Sequence, residues 1–449
     1  MARLFGTDGV RGRANGEILT AALALDLASS AALVLTEEGG FRDRKPVAVV
    51  GRDPRISGEF LQAAVAAGLA SAGVDVIDLG VIPTPGIAYL TGALDADLGV
   101  VITASHNPMP DNGIKFLQRG GLKLDDALED RIQARLGQPW QRPTGADVGR
   151  ISARETAVEE YVGYLVATLT RPLAGLKVVV DCADGAASVS GPLALTNAGA
   201  TVIAIHDDPN GLTINDGSGS THPEALQKAV LEHNADVGFA FDGDADRCLA
   251  VDAQGNLVDG DQLIAILALD LAESGRLPDD TVVVTVMSNL GFLQAMQAAG
   301  IRVRQTSVGD RYVLEEMRAH GYAIGGEQSG HIILSDHATT GDGTLTALHV
   351  LQRMIATGKS LAELAGAVVR LPQVLVNVAD VDKGRCGADD GVLAAVAAEE
   401  AALGGQGRVL LRPSGTENLV RVMVEAPSHE EAQSVAERLA DVVRARLSL

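Results

Sequence analysis

The chain has 449 residues, too many for one hydrophobic core and enough for roughly three or four domains of ordinary size. Apolar residues make up 47% and aromatics only 3%, so the cores must be built from Ala, Val, Leu and Ile, as in soluble α/β proteins. The formal charge of −22 excludes a general nucleic-acid or anionic-membrane surface, and any anionic ligand must meet locally clustered Arg and Lys.

In chain order, the N-terminal stretch FGTDGVRG has no apolar signal-peptide core and sets Arg11 on a Gly-rich turn. The apolar stretch Ala21 to Leu35 is interrupted by Asp26, which argues against a membrane span. Val47 to Val50 reads as a strand, GRDPRISG as a loop, and Glu59 to Ala72 as a helix capped by Ser57 and stopped by Gly73. A second strand, Val74 to Leu79, leads through the Pro83-Thr84-Pro85 turn and a short helix to the apolar strand Leu98 to Ile102. That strand delivers Ser105 to an exposed turn built by His106, Asn107 and Pro108, which is how a nucleophile is presented.

The same order returns at Lys177: strand KVVVD, loop CADGAASVSG, helix PLALTNAG, strand ATVIAI, then strand DVGFAF running into DGDADR. It returns again at Thr281, with TVVVTV, MSNLGFLQAMQAAG, IRVRQTSVGD, and then YAIGG running into EQSGH. In every copy the last strand ends in the polar loop that carries the unusual chemistry. Such alternation predicts parallel or mixed sheets covered on both faces, with ligand loops at the carboxyl ends of strands. Linkers are expected near Gln138 to Ile151, Val251 to Asp259 and Leu371 to Val374. The domains then run 1–150, 151–255, 256–370 and 371–449. The last is a different unit, with an Ala-rich helix Asp390 to Leu403, strands RVLLR and LVRVMVEA, and a helix from about Ser428. Cys182, Cys248 and Cys386 lie far apart without CxxC spacing, which suggests neither a disulfide framework nor a zinc site and fits a reducing cytoplasm.

DGDADR places Asp242, Asp244 and Asp246 at alternate positions, and in an extended segment that period points all their carboxylates one way, toward a small divalent cation such as Mg²⁺. An EF-hand is rejected, because its sixth position needs Gly and its twelfth an acid, where this chain has Arg247 and Ala253. Arg247 offers a fork of donors matched to phosphate oxygens, such as those of a phosphate on Ser105. RPSGTENLVR combines Arg412 and Arg421 with Ser414, Gly415, Thr416 and Asn418, a set suited to cradling phosphate, and it has no Walker signature. GGEQSGH offers Glu327, Ser329 and His331 on a glycine-rich loop, with Glu327 and Ser329 suited to sugar hydroxyls. Each fragment alone is also an ordinary turn composition.

Together, FGTDGVRG, TASHNP with Lys115 following, DGDADR, GGEQSGH and RPSGTEN closely resemble the α-D-phosphohexomutase superfamily along essentially the whole chain. Gln328 and the segment SVGDRYV, Ser307 to Val313, look most like its glucosamine-phosphate branch. The resemblance implies a heart-shaped molecule of three similar α/β domains with mixed sheets plus a smaller α+β C-terminal domain, around a central cleft. It implies that Ser105 is a phosphoserine and that Asp242, Asp244 and Asp246 hold one Mg²⁺ with a phosphate oxygen on Ser105. Arg247, Lys115 and Arg11 would surround the transferring phosphoryl group, with Lys115 either moving a proton or clamping phosphate. Glu327, Ser329 and His331 would face the sugar. Arg412, Ser414, Gly415, Thr416, Asn418 and Arg421 would hold the distal phosphate. The implied reaction interconverts glucosamine 6-phosphate and glucosamine 1-phosphate through a 1,6-bisphosphate, supplying UDP-N-acetylglucosamine synthesis. A glucosamine or glucose 1,6-bisphosphate would act as activator, and the assembly would be a homodimer. A phosphoglucomutase or phosphomannomutase with the same machinery is the nearest rival. A magnesium phosphatase would have no need of RPSGTEN, and a silent sensor would be expected to lose Ser105 or an aspartate.

Overall fold

A computed structural model of the protein describes residues 3–6, 8–37, 44–414 and 418–449. It divides into two compact units, Met1–Met287 with Ile301–Ala367, and Ser288–Gly300 with Val368–Leu449.

Among the described residues, the first unit holds three mixed sheets. Strands β1 (Val10–Arg13), β2 (Val47–Arg52), β3 (Asp75–Val81), β4 (Leu98–Ile102), β5 (Asp111–Gln118), β6 (Leu122–Lys123) and β7 (Ile151–Ala153) form the first, in the order β1-β5-β4-β2-β3-β7 with β6 on β5. The second is β8 (Lys177–Asp181), β9 (Thr201–Ile205), β10 (Val237–Phe241), β11 (Cys248–Asp252) and β12 (Leu257–Val258), ordered β12-β11-β10-β8-β9. The third is β13 (Thr281–Thr285), β14 (Arg302–Thr306), β15 (Ile324–Gly326) and β16 (Ile332–Leu334), ordered β14-β13-β15-β16.

The runs β3-β2-β4-β5, β9-β8-β10-β11 and β14-β13-β15-β16 are one pattern. In each, the first two neighbour pairs are parallel and the last is antiparallel. The repeat read from the sequence is therefore a repeat of topology, and the chemically unusual loop always joins the third strand to its antiparallel partner. Strands β4, β8, β10 and β13 are buried over all or nearly all their length, which explains why they read as continuous apolar runs rather than alternating ones.

Two helices in this unit start where packing, not a local cap, sets the boundary. The helix Ile56–Ser71 begins after Arg55, not at Ser57. Ser57 Oγ accepts from Asn112 Nδ2 at 2.9 Å instead of capping. Leu61, Val65 and Leu69, spaced four apart on one face, are fully buried and drive the helix onto the sheet. The helix Ala187–Asn197 starts five residues before the expected PLALTNAG and carries Pro192 inside it. Its small residues permit that, Gly191 lying against the Phe241 ring. The stretch Val251 to Asp259 includes the hairpin from β11 into β12.

The second unit is a three-stranded antiparallel sheet, β17 (Gln373–Ala379), β18 (Arg408–Pro413) and β19 (Leu419–Glu425), in the order β17-β19-β18. The helices Asp390–Leu403 and His429–Leu447 pack with it, the latter capped by Ser428, which accepts from Glu431 N. Strand β17 was not expected from the sequence. Its register on β19 closes the sheet, and Val374 and Val378 sit in the core. No helix among the described residues is long and apolar enough to cross a membrane.

Candidate active site

Strand β4 is followed by Thr103-Ala104, and Ser105 then adopts φ +52°, a left-handed conformation uncommon for a residue with a Cβ. Its side chain is not on an exposed turn: Ser105 is 1% exposed, at the floor of a cavity of about 450 Å³. Burial comes from what surrounds it. Ser105 Oγ donates to Asp242 Oδ2 at 2.7 Å and lies 3.2 Å from His106 Nδ1. Burial, together with Arg247 and Arg11, pushes the His106 imidazole down to about 4, so it is neutral at physiological pH.

DGDADR follows β10 as a turn rather than an extended segment. Ala245, at φ +55°, donates its N–H to Asp242 O at 3.0 Å. The turn, and not a period of two, gathers Asp242, Asp244 and Asp246, whose ligand oxygens lie within 4.8 Å of one another. Gly243 is required here, because a Cβ would stand 2.7 Å from Ser105 O. Thr84 Oγ1 donates to Asp244 Oδ2 at 2.7 Å. Burial and the repulsion of Asp246 and Asp244 hold the Asp242 carboxyl well above the usual range, and burial with Asp244 raises Asp246. Asp244 goes the other way, to about 2: burial opposes its charge, but Lys115, Thr84 and Arg11 outweigh it. Asp244 Oδ1 and Asp246 Oδ1 are buried and accept no hydrogen bond from the described residues. Three hard oxygen donors that repel one another, two with unsatisfied atoms, fit a small divalent cation.

Arg11 stands on β1, paired with Gly113, and not on a turn. Lys115, on β5, is buried, with Nζ 2.7 Å from Asp8 Oδ2 and 3.2 Å from Asp244 Oδ2. Burial opposes its charge, but Asp244 and Asp8 prevail and raise its pKa above the ordinary lysine value. A lysine held as a cation clamps anions and has no lone pair to accept a proton. Asp8 collects Arg11, Lys115 and Lys123, which hold its carboxyl well below the usual range despite burial. Lys123 in turn donates to Asp310.

Arg247, Glu327, Ser329 and His331 line the same cavity as Ser105 and Arg11. Glu327 Oε1 accepts from Gly309 N at 3.1 Å, and Ser329 is exposed to the cavity. His331 Nε2 accepts from Gly341 N at 3.3 Å and lies 3.5 Å from an Asp310 oxygen and 3.9 Å from an Asp246 oxygen. The Nε atoms of Arg11 and Arg247 are buried and donate to none of the described residues. The cavity therefore sets guanidinium N–H groups without hydrogen-bond acceptors beside carboxylate oxygens without donors, Arg247 Nε lying 3.9 Å from Asp246 Oδ1, a combination suited to an anion bound beside a cation.

In the second unit, Arg412 and Arg421 are direct cross-strand partners on β18 and β19. Burial and the nearby Arg421 charge lower the Arg412 pKa. Ser414 is buried and accepts at its carbonyl from Lys383 Nζ at 2.7 Å, while Asn418 is exposed. Gly415 and Thr416 lie outside the described residues.

Four family profiles match the chain: phosphoglucomutase/phosphomannomutase alpha/beta/alpha domain I over residues 2–141, domain II over 159–255, domain III over 259–371, and the C-terminal domain over 375–442. A phosphoglucosamine mutase of Nocardioides sp. is 69% identical over 100% of both chains, and one of Streptomyces griseus is 62% identical over 100% of both. The chain belongs to the phosphoglucosamine mutase family, within the α-D-phosphohexomutases. A phosphoglucomutase/phosphomannomutase family protein from Burkholderia thailandensis shares the fold at TM-score 0.79 and 26% identity, covering 99% of this chain and 97% of that one.

Sequence reasoning missed several groups that build the site. Asp8 and Asp310 were inside the motifs FGTDGVRG and SVGDRYV but were not singled out. Thr84 and Lys123 carry no local signal, because only the fold brings them to Asp244, Asp8 and Asp310.

Proposed function

We propose that this enzyme interconverts glucosamine 6-phosphate and glucosamine 1-phosphate, with Ser105 as the phosphoryl carrier. The observation that carries the reading is the juxtaposition of a buried Ser105 Oγ with the aspartate cluster and with orphaned guanidinium donors in one cavity. The 62% and 69% identical relatives support the sugar assignment.

In the first transfer, the P–Oγ bond of phospho-Ser105 breaks as the sugar 1-oxygen bonds to phosphorus, and the proton lost by the 1-hydroxyl ends on Ser105 Oγ. The resulting 1,6-bisphosphate turns over in the cavity. In the second transfer the bond from phosphorus to the sugar 6-oxygen breaks, Ser105 Oγ takes the phosphoryl group, and the proton that Oγ gives up ends on the 6-oxygen. Arg11 and Arg247 hold the equatorial oxygens as charge shifts between the two ends. Lys115, fixed as a cation, clamps the same group. Glu327, Ser329 and His331 orient the sugar, and Arg412, Ser414, Gly415, Thr416, Asn418 and Arg421 hold the phosphate that is not reacting. Asp242, Asp244 and Asp246 would hold Mg²⁺ together with the Ser105 phosphate. Once bound, that cation neutralises charge on the phosphoryl oxygens. A sugar 1,6-bisphosphate serves as activator, the assembly is a homodimer, and the compartment is the cytoplasm. The free, buried thiols of Cys182, Cys248 and Cys386 support that compartment.

Phosphorus NMR of the magnesium-loaded phosphoprotein tests the reading, with glucosamine 6-phosphate, glucose 6-phosphate and mannose 6-phosphate offered separately. Fastest conversion of the glucosamine compound to its 1-phosphate is expected. Preference for glucose or mannose would move the substrate, and inorganic phosphate as the sole product would replace the mutase with a phosphatase.

A further inference from the structure

The reaction described above uses Ser105 but not the groups that hold its loop. Chief among them is Arg55, from the GRDPRISG stretch, which is wholly buried beside an equally buried Asp53. Its guanidinium spends every N–H on this region: Nε donates to Asp53 Oδ2 at 2.9 Å, Nη1 to the carbonyls of Pro108 at 2.6 Å and Asp111 at 3.1 Å, and Nη2 to those of Ser105 at 3.0 Å and Asn107 at 2.7 Å.

The other end of Ser105 returns to the same ion pair. Ser105 N donates to Thr103 Oγ1 at 2.9 Å, and Thr103 Oγ1 donates to Asp53 Oδ2 at 2.6 Å. Both backbone polar groups of a residue held at φ +52° are thus tied, directly or through one hydroxyl, to Arg55 and Asp53. A second donor comes from far along the chain, where Asn215 Nδ2 reaches the same carbonyls of Ser105 at 2.9 Å and Asn107 at 3.1 Å.

A buried ion pair is a poor way to stabilise a fold, since apolar residues of similar volume avoid its desolvation cost. Its value lies in geometry. A planar fork with fixed donor directions holds one loop conformation where a flexible ammonium would permit several. We propose that Arg55 is a positioning residue for phosphoryl transfer: by collecting the carbonyls of the Ser105 loop it holds Ser105 in its left-handed conformation and keeps Oγ directed at the aspartate cluster. This rests on the reading of Ser105 as the phosphoryl carrier.

Arg55→Lys keeps the charge and removes the fork, and Asn215→Leu removes the second donor. For Arg55→Lys, kcat should fall about 100-fold while KM for glucosamine 6-phosphate stays within about threefold of wild type. Asn215→Leu should show the same split at about tenfold. The phosphorus resonance of phospho-Ser105 should shift or broaden in both variants, a change that a role confined to stability would not produce. Folded variants with wild-type kcat and an unchanged resonance overturn the positioning role. If Arg55→Lys does not fold, Asn215→Leu decides. If neither folds, Arg55 is a determinant of the fold and the positioning role is overturned. A wild-type protein that carries no phosphoserine overturns the carrier reading and this inference together. A wild type that turns over normally beside an equally active Arg55→Lys overturns this inference alone.

Discussion

Ser105→Ala is expected to lower kcat by at least about four orders of magnitude while leaving the affinity for glucosamine 6-phosphate within about threefold of wild type. The size follows from the chemistry: uncatalysed phosphate-monoester cleavage is among the slowest reactions known, and removing Oγ removes the hydroxyl that carries the phosphoryl group between turnovers. The selectivity follows from the structure. Only one atom is removed, the left-handed backbone still bears a Cβ, and Arg11, Arg247, Glu327 and Ser329 line the cavity as before. Steady-state kinetics with calorimetric binding of the sugar phosphate checks both halves. A clean preparation of the alanine variant retaining a tenth of wild-type turnover would sink the covalent role, and so would a matching collapse of binding and rate.

Asp242→Asn carries the second large effect, with opposite signs for activity and for metal-free stability. Burial and two neighbouring carboxylates raise Asp242 well above the usual range, so its ionised form is an unfavourable charge when no cation is present. Asparagine keeps the shape and can still accept from Ser105 Oγ, but it removes that charge. The metal-free variant should therefore melt above the metal-free wild type. Added Mg²⁺ should stabilise the wild type by about 3 kcal/mol at a hundredfold excess over its dissociation constant, and the variant far less. Turnover should fall by about three orders of magnitude or more. Thermal melts with and without chelator, beside kinetics, read all three. An Asp242→Asn protein that melts lower than wild type without metal, or keeps the full Mg²⁺ shift, would show that the aspartates do not form a mutually repelling cation site.

Much of this architecture was legible in the sequence, for identifiable reasons. Leu98–Ile102 is buried on both faces, so its apolar run marks a strand whatever surrounds it, and the polar loop after it marks where chemistry is presented. The threefold repeat was readable because β10 and β15 end in the same way, and the shared strand order shows that the resemblance is topological. The sequence was misleading wherever a local rule competed with a tertiary partner. Ser57 has the composition of a cap but is taken by Asn112. Asp242, Asp244 and Asp246 have the spacing of an extended segment but lie on a turn, which buries Ser105 beneath them. Asp8 and Lys123 meet only because β1 and β6 both lie against β5. Arg55 falls in a stretch that reads simply as a loop, yet it is wholly buried under the turn it holds. Such long-range pairings have no local periodicity to announce them.

The most direct test of the central claim is a single-turnover chase. Enzyme radiolabelled at phospho-Ser105 is mixed with unlabelled glucosamine 6-phosphate in slight excess, quenched over milliseconds to seconds, and the sugars are separated. The label should leave the protein, pass through glucosamine 1,6-bisphosphate, and end in the 1-phosphate group of glucosamine 1-phosphate, while Ser105 regains unlabelled phosphate from the 6-position. Label that stays on the protein while product forms, or that leaves as inorganic phosphate, would contradict transfer through Ser105.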